Sequence, residues 1–256
     1  MVSSRIHRKG SGLKVCYTGC SLTYGNELEP GQCYTELLDK HFNFKSTNLA
    51  SNGNSNLGIF HDAIHASQQD YDIIFVQWTK LFRLSVYPVA GHKQNLTLVP
   101  HNGPQHDSEY HNFIFSKSMK SKLIDLYSVT NCAYGMLKNF MQMVYALQQM
   151  DKRFVFFSGL LQNYWNTDLD QPTPNQLIDL KPHTREMLEF EHNPDDKILS
   201  LWHELQHKYQ QLDKSRWVHM FPSIDEYNVD FAGTHPGPKT QRIFYENFKS
   251  YCERKI

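Results

Sequence analysis

The sequence has no long apolar run and no charge imbalance. No stretch of its 256 residues approaches the roughly eighteen apolar residues of a membrane span, and residues 1–12 are basic without the apolar segment of a secretory signal. Lys and Arg number 26, as do Asp and Glu, and like charges form no run. We therefore expect a soluble protein that binds neither nucleic acid nor membrane. The cytoplasm is the default expectation for its compartment, with a virion or a signal-independent export route left open.

Cysteine is scarce and scattered. The five cysteines form no CxxC pair, and an odd, dispersed set fits neither a disulfide framework nor a structural zinc site. They are predicted to be reduced thiols, and we predict no metal and no cofactor. Internal repeats and low-complexity segments are also lacking, which argues against repeat architectures. The cysteines are Cys16, Cys20, Cys33, Cys132 and Cys252.

Short apolar runs alternate with amphipathic stretches. The runs are rich in Val, Ile, Phe and Tyr and too short for helices, which is typical of strands buried on both faces of a parallel sheet. A hydrophobic content of 40% is enough for one domain with a large core. The alternation predicts a single α/β domain, residues 1–256, with a doubly wound sheet between two helical layers. The predicted strands are residues 14–18, 46–49, 72–78, 153–158 and 217–222, and the predicted helices are residues 34–41, 55–67, 122–150 and 196–212.

Two polar insertions are longer than such a domain needs. They cover about residues 85–118 and 162–195, and each follows the carboxyl end of a predicted strand. Ligands bind at that edge of an open α/β sheet, so the insertions are candidate walls of a substrate site. Surface loops without a role are the alternative, because loops vary freely.

A serine lies between two glycines directly after the first predicted strand. Residues 19–25 read GCSLTYG, with Ser21 in the middle. A serine at a strand end can present both its Oγ and its backbone N–H to a substrate. Taken alone, the segment is more typical of a plain turn.

This serine segment resembles the first block of the SGNH (GDSL) hydrolases, which usually reads Gly-Asp-Ser-Leu. The resemblance continues along the chain in the order of the family's blocks. Residues 48–56, NLASNGNSN, resemble the second block, in which a glycine offers its N–H to the oxyanion. Gly53 is the matching glycine.

The third and last blocks also have counterparts. Residues 76–79, VQWT, end a predicted strand where the third block would lie, with Thr79 at the position of the family's asparagine. Residues 233–240, GTHPGPKT, resemble the last block, in which a histidine precedes a proline and a helix. That histidine is His235. The four matches are spread over residues 14–248, which is nearly the whole chain.

The resemblance implies a flavodoxin-like parallel sheet and a serine hydrolase that cleaves acyl esters without a cofactor. Ser21 is the implied nucleophile and His235 the implied base. Ser21, Gly53 and Thr79 are the implied hydrogen-bond donors to the oxyanion. The chemistry is consistent, since a neutral imidazole can remove the serine proton while convergent donors hold the developing charge.

The sequence departs from the family pattern at the acid of the triad. The family places an aspartate three residues before the histidine, where this chain has Ala232. Asp230 is the nearest acid, and we predict that it orients His235. Asp225 and a backbone carbonyl, which would leave a dyad, are the alternatives. Cys20 also replaces the acidic residue before the nucleophile.

Three other residues near the blocks have a structural interpretation. Asn48 and Asn56 are expected to shape a turn and to cap the helix that begins near Ser55. Trp78 either lines the acyl pocket or belongs to the core.

A rival motif indicates different chemistry. Residues 203–207 read HELQH, a literal HExxH, in which His203 and His207 would hold zinc and Glu204 would act as base of a metalloprotease. No metzincin-like continuation follows it. A solvated helix face is the simpler interpretation, because a chain with 14 histidines shows such a match by chance on the order of a few per cent of the time, which is not small for a single motif.

The substrate is the least determined part. Tyr87, Tyr164 and Trp165 lie in the polar insertions and could stack on sugar rings, which favours O-deacetylation of a glycan. A small-molecule ester is the other expected substrate class. A binding module that kept the scaffold and lost catalysis is a further alternative, since the usual aspartate and asparagine are missing. The oligomeric state is not predicted.

Overall fold

A parallel sheet of four strands in the order β2-β1-β3-β6 organises the chain. The computed structural model describes residues 12–79, 83–86, 94–97, 133–151, 153–158, 213–218, 230–233 and 235–255. The strands are β1 (Lys14–Thr18), β2 (Lys45–Asn48), β3 (Ile73–Trp78), β4 (Arg83–Val86), β5 (Gln94–Thr97), β6 (Phe154–Ser158), β7 (Phe231–Ala232) and β8 (His235–Pro236). The helices are α1 (Ser21–Tyr24), α2 (Tyr34–Phe42), α3 (Asn56–Ser67), α4 (Ala133–Met150) and α5 (Pro238–Lys255), with a 3-10 turn at Lys214–Arg216.

Alternation along the central strands divides the core into two layers. Successive side chains of a strand point to opposite faces, so Val15 and Tyr17 of β1 pack with α2 and α5. Ile74 and Val76 of β3 pack on the opposite face with α3 and α4. Every residue of β3 is buried. Helices thus cover both faces, and the predicted three-layer α/β fold is confirmed.

The strand predicted at residues 217–222 is described only at its start. Trp217 forms a parallel bridge with Phe156 of β6, and the N–H of Val218 donates to the Phe156 carbonyl at 2.9 Å. The chain therefore pairs with β6 where the prediction places a fifth strand, while residues 219–222 lie outside the described residues.

Much of the predicted insertions also lies outside the described residues. Within residues 85–118 the structure describes parts of an antiparallel hairpin, in which β4 pairs with β5. The insertion at residues 162–195 and the helix predicted at 196–212 are not covered, and the helix predicted at 122–150 is described from Ala133. In the part of the chain that the structure describes, no helix is both long and apolar enough to cross a membrane.

Candidate active site

The turn that follows β1 is held tightly against β3. Gln77 of β3 is fully buried, and its Oε1 accepts hydrogen bonds from the Cys20 N–H at 3.0 Å and from Thr23 Oγ1 at 2.7 Å. A Cβ on Gly19 would lie 2.7 Å from both Gln77 Oε1 and Thr23 Oγ1. A side chain at position 19 would therefore break the contact that shapes this turn, which explains the glycine.

Ser21 begins α1 at the carboxyl end of the central strand β1. Ser21 is buried, with only 4% of its surface exposed. The helix ends after one turn at Gly25, which has a φ of 81° and donates its N–H to the Ser21 carbonyl at 3.1 Å. Glycine adopts this left-handed conformation without strain. The chain then reverses, and Asn26 and Glu27 follow directly.

His235 lies on the short strand β8, whose partner is β7. Ala232, at the position of the family's aspartate, is the Cα partner of His235 in this antiparallel pair. The strand β8 contacts α1. Ser21 and His235, 214 residues apart in the sequence (235 − 21), therefore lie on neighbouring elements at one edge of the sheet.

The carboxylate that meets His235 belongs to Glu27. Glu27 Oε2 lies 2.7 Å from His235 Nδ1, and the same oxygen accepts the His235 backbone N–H at 3.1 Å. The two side chains are 38% and 22% exposed, respectively. Sequence reasoning missed this residue, because the family pattern directs attention to the segment just before the histidine.

A second polar atom approaches the same ring nitrogen. Asn26 Nδ2 lies 3.2 Å from His235 Nδ1. One ring nitrogen cannot donate to a carboxylate and accept from an amide at the same time. The shorter contact is to a charged acceptor, and such hydrogen bonds are the stronger ones. Nδ1 therefore carries the proton, and in the neutral ring Nε2 is the unprotonated nitrogen.

Asp230 has a different role from the predicted one. Its Oδ2 accepts the Lys239 N–H at 2.9 Å, and its Oδ1 accepts the N–H and the hydroxyl of Thr240 at 2.8 and 2.9 Å. Burial acts to raise the pKa of Asp230, but these hydrogen bonds outweigh it, so the pKa is lowered. Asp230 thus caps the first turn of α5 instead of contacting His235, and the predicted contact is wrong. Asp225 lies outside the described residues.

Thr79 follows β3 and is clamped through its backbone by Asn56. The Asn56 side chain accepts the Thr79 N–H at 2.8 Å and donates to the Thr79 carbonyl at 3.0 Å. The expectation that Asn56 caps α3 is therefore wrong, since the cap is Ser55, whose Oγ accepts from the Gly58 N–H. Thr79 Oγ1 is buried, and no hydrogen-bond partner for it occurs among the described residues.

Gly53 lies in the turn between β2 and α3 with a φ of 70°. The next residue ties this turn to the turn that follows β1, because Asn54 Nδ2 donates to the Gly19 carbonyl at 3.2 Å. The same nitrogen donates to Asp62 Oδ2 on α3 at 2.8 Å. Asn48 shapes the same region as expected: its Oδ1 accepts the Ala50 N–H, and its Nδ2 donates to a carbonyl of α1. Two of the three implied oxyanion donors are thus anchored by asparagine side chains.

Trp78 belongs to the core. It is fully buried and meets Phe140 of α4 edge to face, with ring centroids 5.2 Å apart. Phe156 stacks against it from β6. Of the two readings of this residue, the structure supports packing.

The rival zinc motif falls in a part of the chain that the structure does not describe. His203, Glu204 and His207 lie outside the described residues. Within the described ranges, no group of three or more His, Cys, Asp or Glu side chains is arranged to hold a metal ion.

No protein-family model and no curated protein matches the sequence. Several solved structures, in contrast, are similar to this chain. An α/β hydrolase enzyme from the metagenome of Lake Arreo is 12% identical, with 94% of this chain and 95% of that one covered and a TM-score of 0.47. A member of the lipolytic G-D-S-L family from Veillonella parvula is 14% identical, with 93% and 96% covered and a TM-score of 0.43.

A third similar structure is a catalytic mutant of an acetylxylan esterase from Geobacillus stearothermophilus. It is 12% identical, with 94% of each chain covered and a TM-score of 0.42. Similarity of this degree concerns the fold and identifies neither an activity nor a substrate.

Proposed function

We propose that this chain is a serine esterase of the SGNH type, with Ser21 as nucleophile and His235 as general base. The observation that carries the proposal is the imidazole of His235. The Glu27 carboxylate oxygen, 2.7 Å from Nδ1, holds the ring in one tautomer. The strand that carries His235, β8, contacts α1, the helix that begins at Ser21. A nucleophile, a base and a third group that orients the base form the general pattern of covalent acyl transfer.

The proposed reaction has two halves. Ser21 Oγ attacks the ester carbonyl carbon, its proton passes to His235 Nε2, and the carbonyl electron pair moves onto the oxygen. The tetrahedral species then expels the alcohol, which takes the proton from Nε2, and an acyl-serine remains. Water attacks the acyl-serine in the same way, Nε2 again takes and returns a proton, and the carboxylic acid leaves with Ser21 restored.

We propose that the N–H groups of Ser21 and Gly53 and the hydroxyl of Thr79 donate hydrogen bonds to the tetrahedral oxygen and stabilise its negative charge. The Thr79 hydroxyl is buried, and no described residue accepts or donates a hydrogen bond there, which supports a role in which it donates to a substrate atom. A hydroxyl reaches less far than the family's asparagine amide. The backbone clamp from Asn56 supports a fixed position for this donor.

The proposed substrate is an acetyl ester of a glycan. Exposed aromatic rings lie on the elements of the proposed machinery: Tyr24 on α1 is 56% exposed, and Phe231 on β7 is 60% exposed. An exposed aromatic ring is accessible for stacking on the ring of a sugar. Tyr87, Tyr164 and Trp165, which the sequence assigns to the insertions, lie outside the described residues.

Hydrolysis of p-nitrophenyl esters of increasing acyl length, and of acetylated sugars, tests the proposal. We expect the acetyl ester to be cleaved fastest, and Ser21→Ala to abolish turnover and labelling by a fluorophosphonate. Ser67→Ala, which removes a hydroxyl at the end of α3, is the matched control and should behave as the wild type. Turnover that persists in Ser21→Ala, or that a zinc chelator removes, would contradict the serine mechanism.

A further inference from the structure

The acid beside His235 comes from the loop after α1 and not from the segment that carries the histidine. We infer that Glu27 is the positioning residue of the proposed esterase and takes the part that the aspartate three residues before the histidine plays in the SGNH hydrolases. The inference rests on the proposed function. Glu27 acts through the imidazole, which is the proposed acceptor of the Ser21 proton.

The first support is that one carboxylate oxygen binds His235 at two points. Glu27 Oε2 accepts from Nδ1 of the ring at 2.7 Å and from the backbone N–H of the same residue at 3.1 Å. Two bonds to one residue set the direction of the ring relative to its own backbone. The same contact selects the tautomer with the proton on Nδ1, so that Nε2 is the unprotonated nitrogen of the neutral ring.

The second support is the backbone of Glu27. Its φ is 63°, and among the described residues only Glu27 and Asn43 combine a positive φ with a side chain other than glycine's. This conformation is disfavoured for a residue with a Cβ. Strained residues of this kind cluster at functional sites, where the surrounding structure holds them.

The third support comes from the opposite segment. Gly233 has a φ of 59°, and a Cβ there would lie 2.7 Å from Glu27 Oε2 and 2.8 Å from its Cδ. The absence of a side chain at position 233 is therefore what admits the Glu27 carboxylate. Two segments far apart in the sequence therefore favour the same contact: one has a strained backbone at Glu27, and the other has a glycine at position 233.

The charge of Glu27 matters at one moment of the reaction. When Ser21 Oγ loses its proton, His235 becomes an imidazolium, and a carboxylate against Nδ1 stabilises it. Asp230 does not supply this charge, because its two oxygens bind the first turn of α5. Removing the Glu27 charge should therefore lower kcat and leave KM nearly unchanged, since Glu27 acts on the base rather than on the substrate.

The test compares Glu27→Gln with Asp230→Asn, two equal exchanges of acid for amide. We expect Glu27→Gln to lower kcat by about a thousand- to ten-thousand-fold, as loss of a triad acid does, and Asp230→Asn to leave kcat near that of the wild type. The downfield proton signal of the His235 Nδ1–H should disappear in Glu27→Gln and persist in Asp230→Asn. Glu27→Asp, which keeps the charge, should recover part of the loss.

Gly233→Ala provides an independent arm that leaves Glu27 intact. The new Cβ should displace the carboxylate, lower kcat and remove the same proton signal, and the double variant with Glu27→Gln should lose little more than either single variant. If Glu27→Gln keeps kcat within tenfold of the wild type while Ser21→Ala and His235→Ala are inactive, the inference fails and the esterase stands. If the wild type shows no turnover that depends on Ser21, the proposed function fails instead.

Discussion

Two carboxylates can be called neighbours of His235, but they bind different partners: Glu27 is close in space, and Asp230 is close in sequence. Glu27 is 208 residues away along the chain, has a left-handed backbone and places its oxygen on the imidazole. Asp230 is five residues before the histidine (235 − 230), and its oxygens accept hydrogen bonds from the first turn of α5. The comparison teaches that closeness in sequence to a base does not make a carboxylate its partner.

The two acids also differ in what they do for the fold. A carboxylate at a helix start satisfies N–H groups that have no partner within the helix and interacts favourably with the helix dipole. The left-handed backbone conformation of Glu27, in contrast, costs free energy because the residue has a Cβ. We infer that Asp230 serves stability and Glu27 serves the histidine. The following predictions separate these roles.

The largest expected effect is at the residue that Glu27 contacts. His235→Ala should lower kcat by about a million-fold, as loss of a triad base does in a serine hydrolase. Adding Glu27→Gln should then cost nothing further, because its only proposed target is gone. Steady-state kinetics of the single and double variants check this. A further loss in the double variant would mean that Glu27 acts elsewhere.

A smaller rate effect is expected at Thr79, which lies apart from the histidine network. Thr79→Val removes the hydroxyl at nearly constant volume and should lower kcat by about a hundred- to a thousand-fold, the usual cost of one oxyanion donor. Thr79→Ser keeps the hydroxyl and is the control. The losses of Thr79→Val and Glu27→Gln should multiply, and a combined loss well below the product would show that the two positions are coupled.

Asp230 should affect stability and leave the chemistry intact. Asp230→Ala should lower the free energy of unfolding by about 1 kcal/mol, as loss of a helix cap does, which urea unfolding at pH 7 measures. The pKa of Asp230 is lowered in the fold, so its contribution is fully present above the ordinary aspartate pKa of about 4 and is lost as the pH falls through the lowered value. The difference between wild type and variant should therefore shrink in acid. A difference that grows in acid would contradict the assigned role.

An effect on stability of similar size is expected from the strain at Glu27. Glu27→Gly and Glu27→Ala both remove the carboxylate, but only glycine adopts a φ of 63° freely. We expect the glycine variant to be more stable than the alanine variant by about 1 kcal/mol, with equally low activity. Thermal unfolding of the pair measures the difference. Equal stability would indicate that the left-handed backbone carries no strain.

The fold was largely predictable because buried parallel strands have a strong local signature. Residues 14–18 coincide with β1, and the runs at 72–78 and 153–158 contain β3 and β6. The site was less predictable. Asn56 looked like a helix cap, yet its amide binds both backbone groups of Thr79 across a turn. An asparagine at a helix start fits either role locally, and only the neighbouring strand end decides.

By itself, the sequence determined the alternation of strands and helices and the placement of Ser21 and His235 beside strand ends or turns, since apolar periodicity and glycine spacing are local properties. Only the tertiary structure decided which carboxylate meets the imidazole. That contact depends on the left-handed turn at Glu27 and on the missing side chain at Gly233. The part of neither feature in this contact can be read from the sequence of its own segment, and they act together because the fold brings the loop after α1 against the turn before β8.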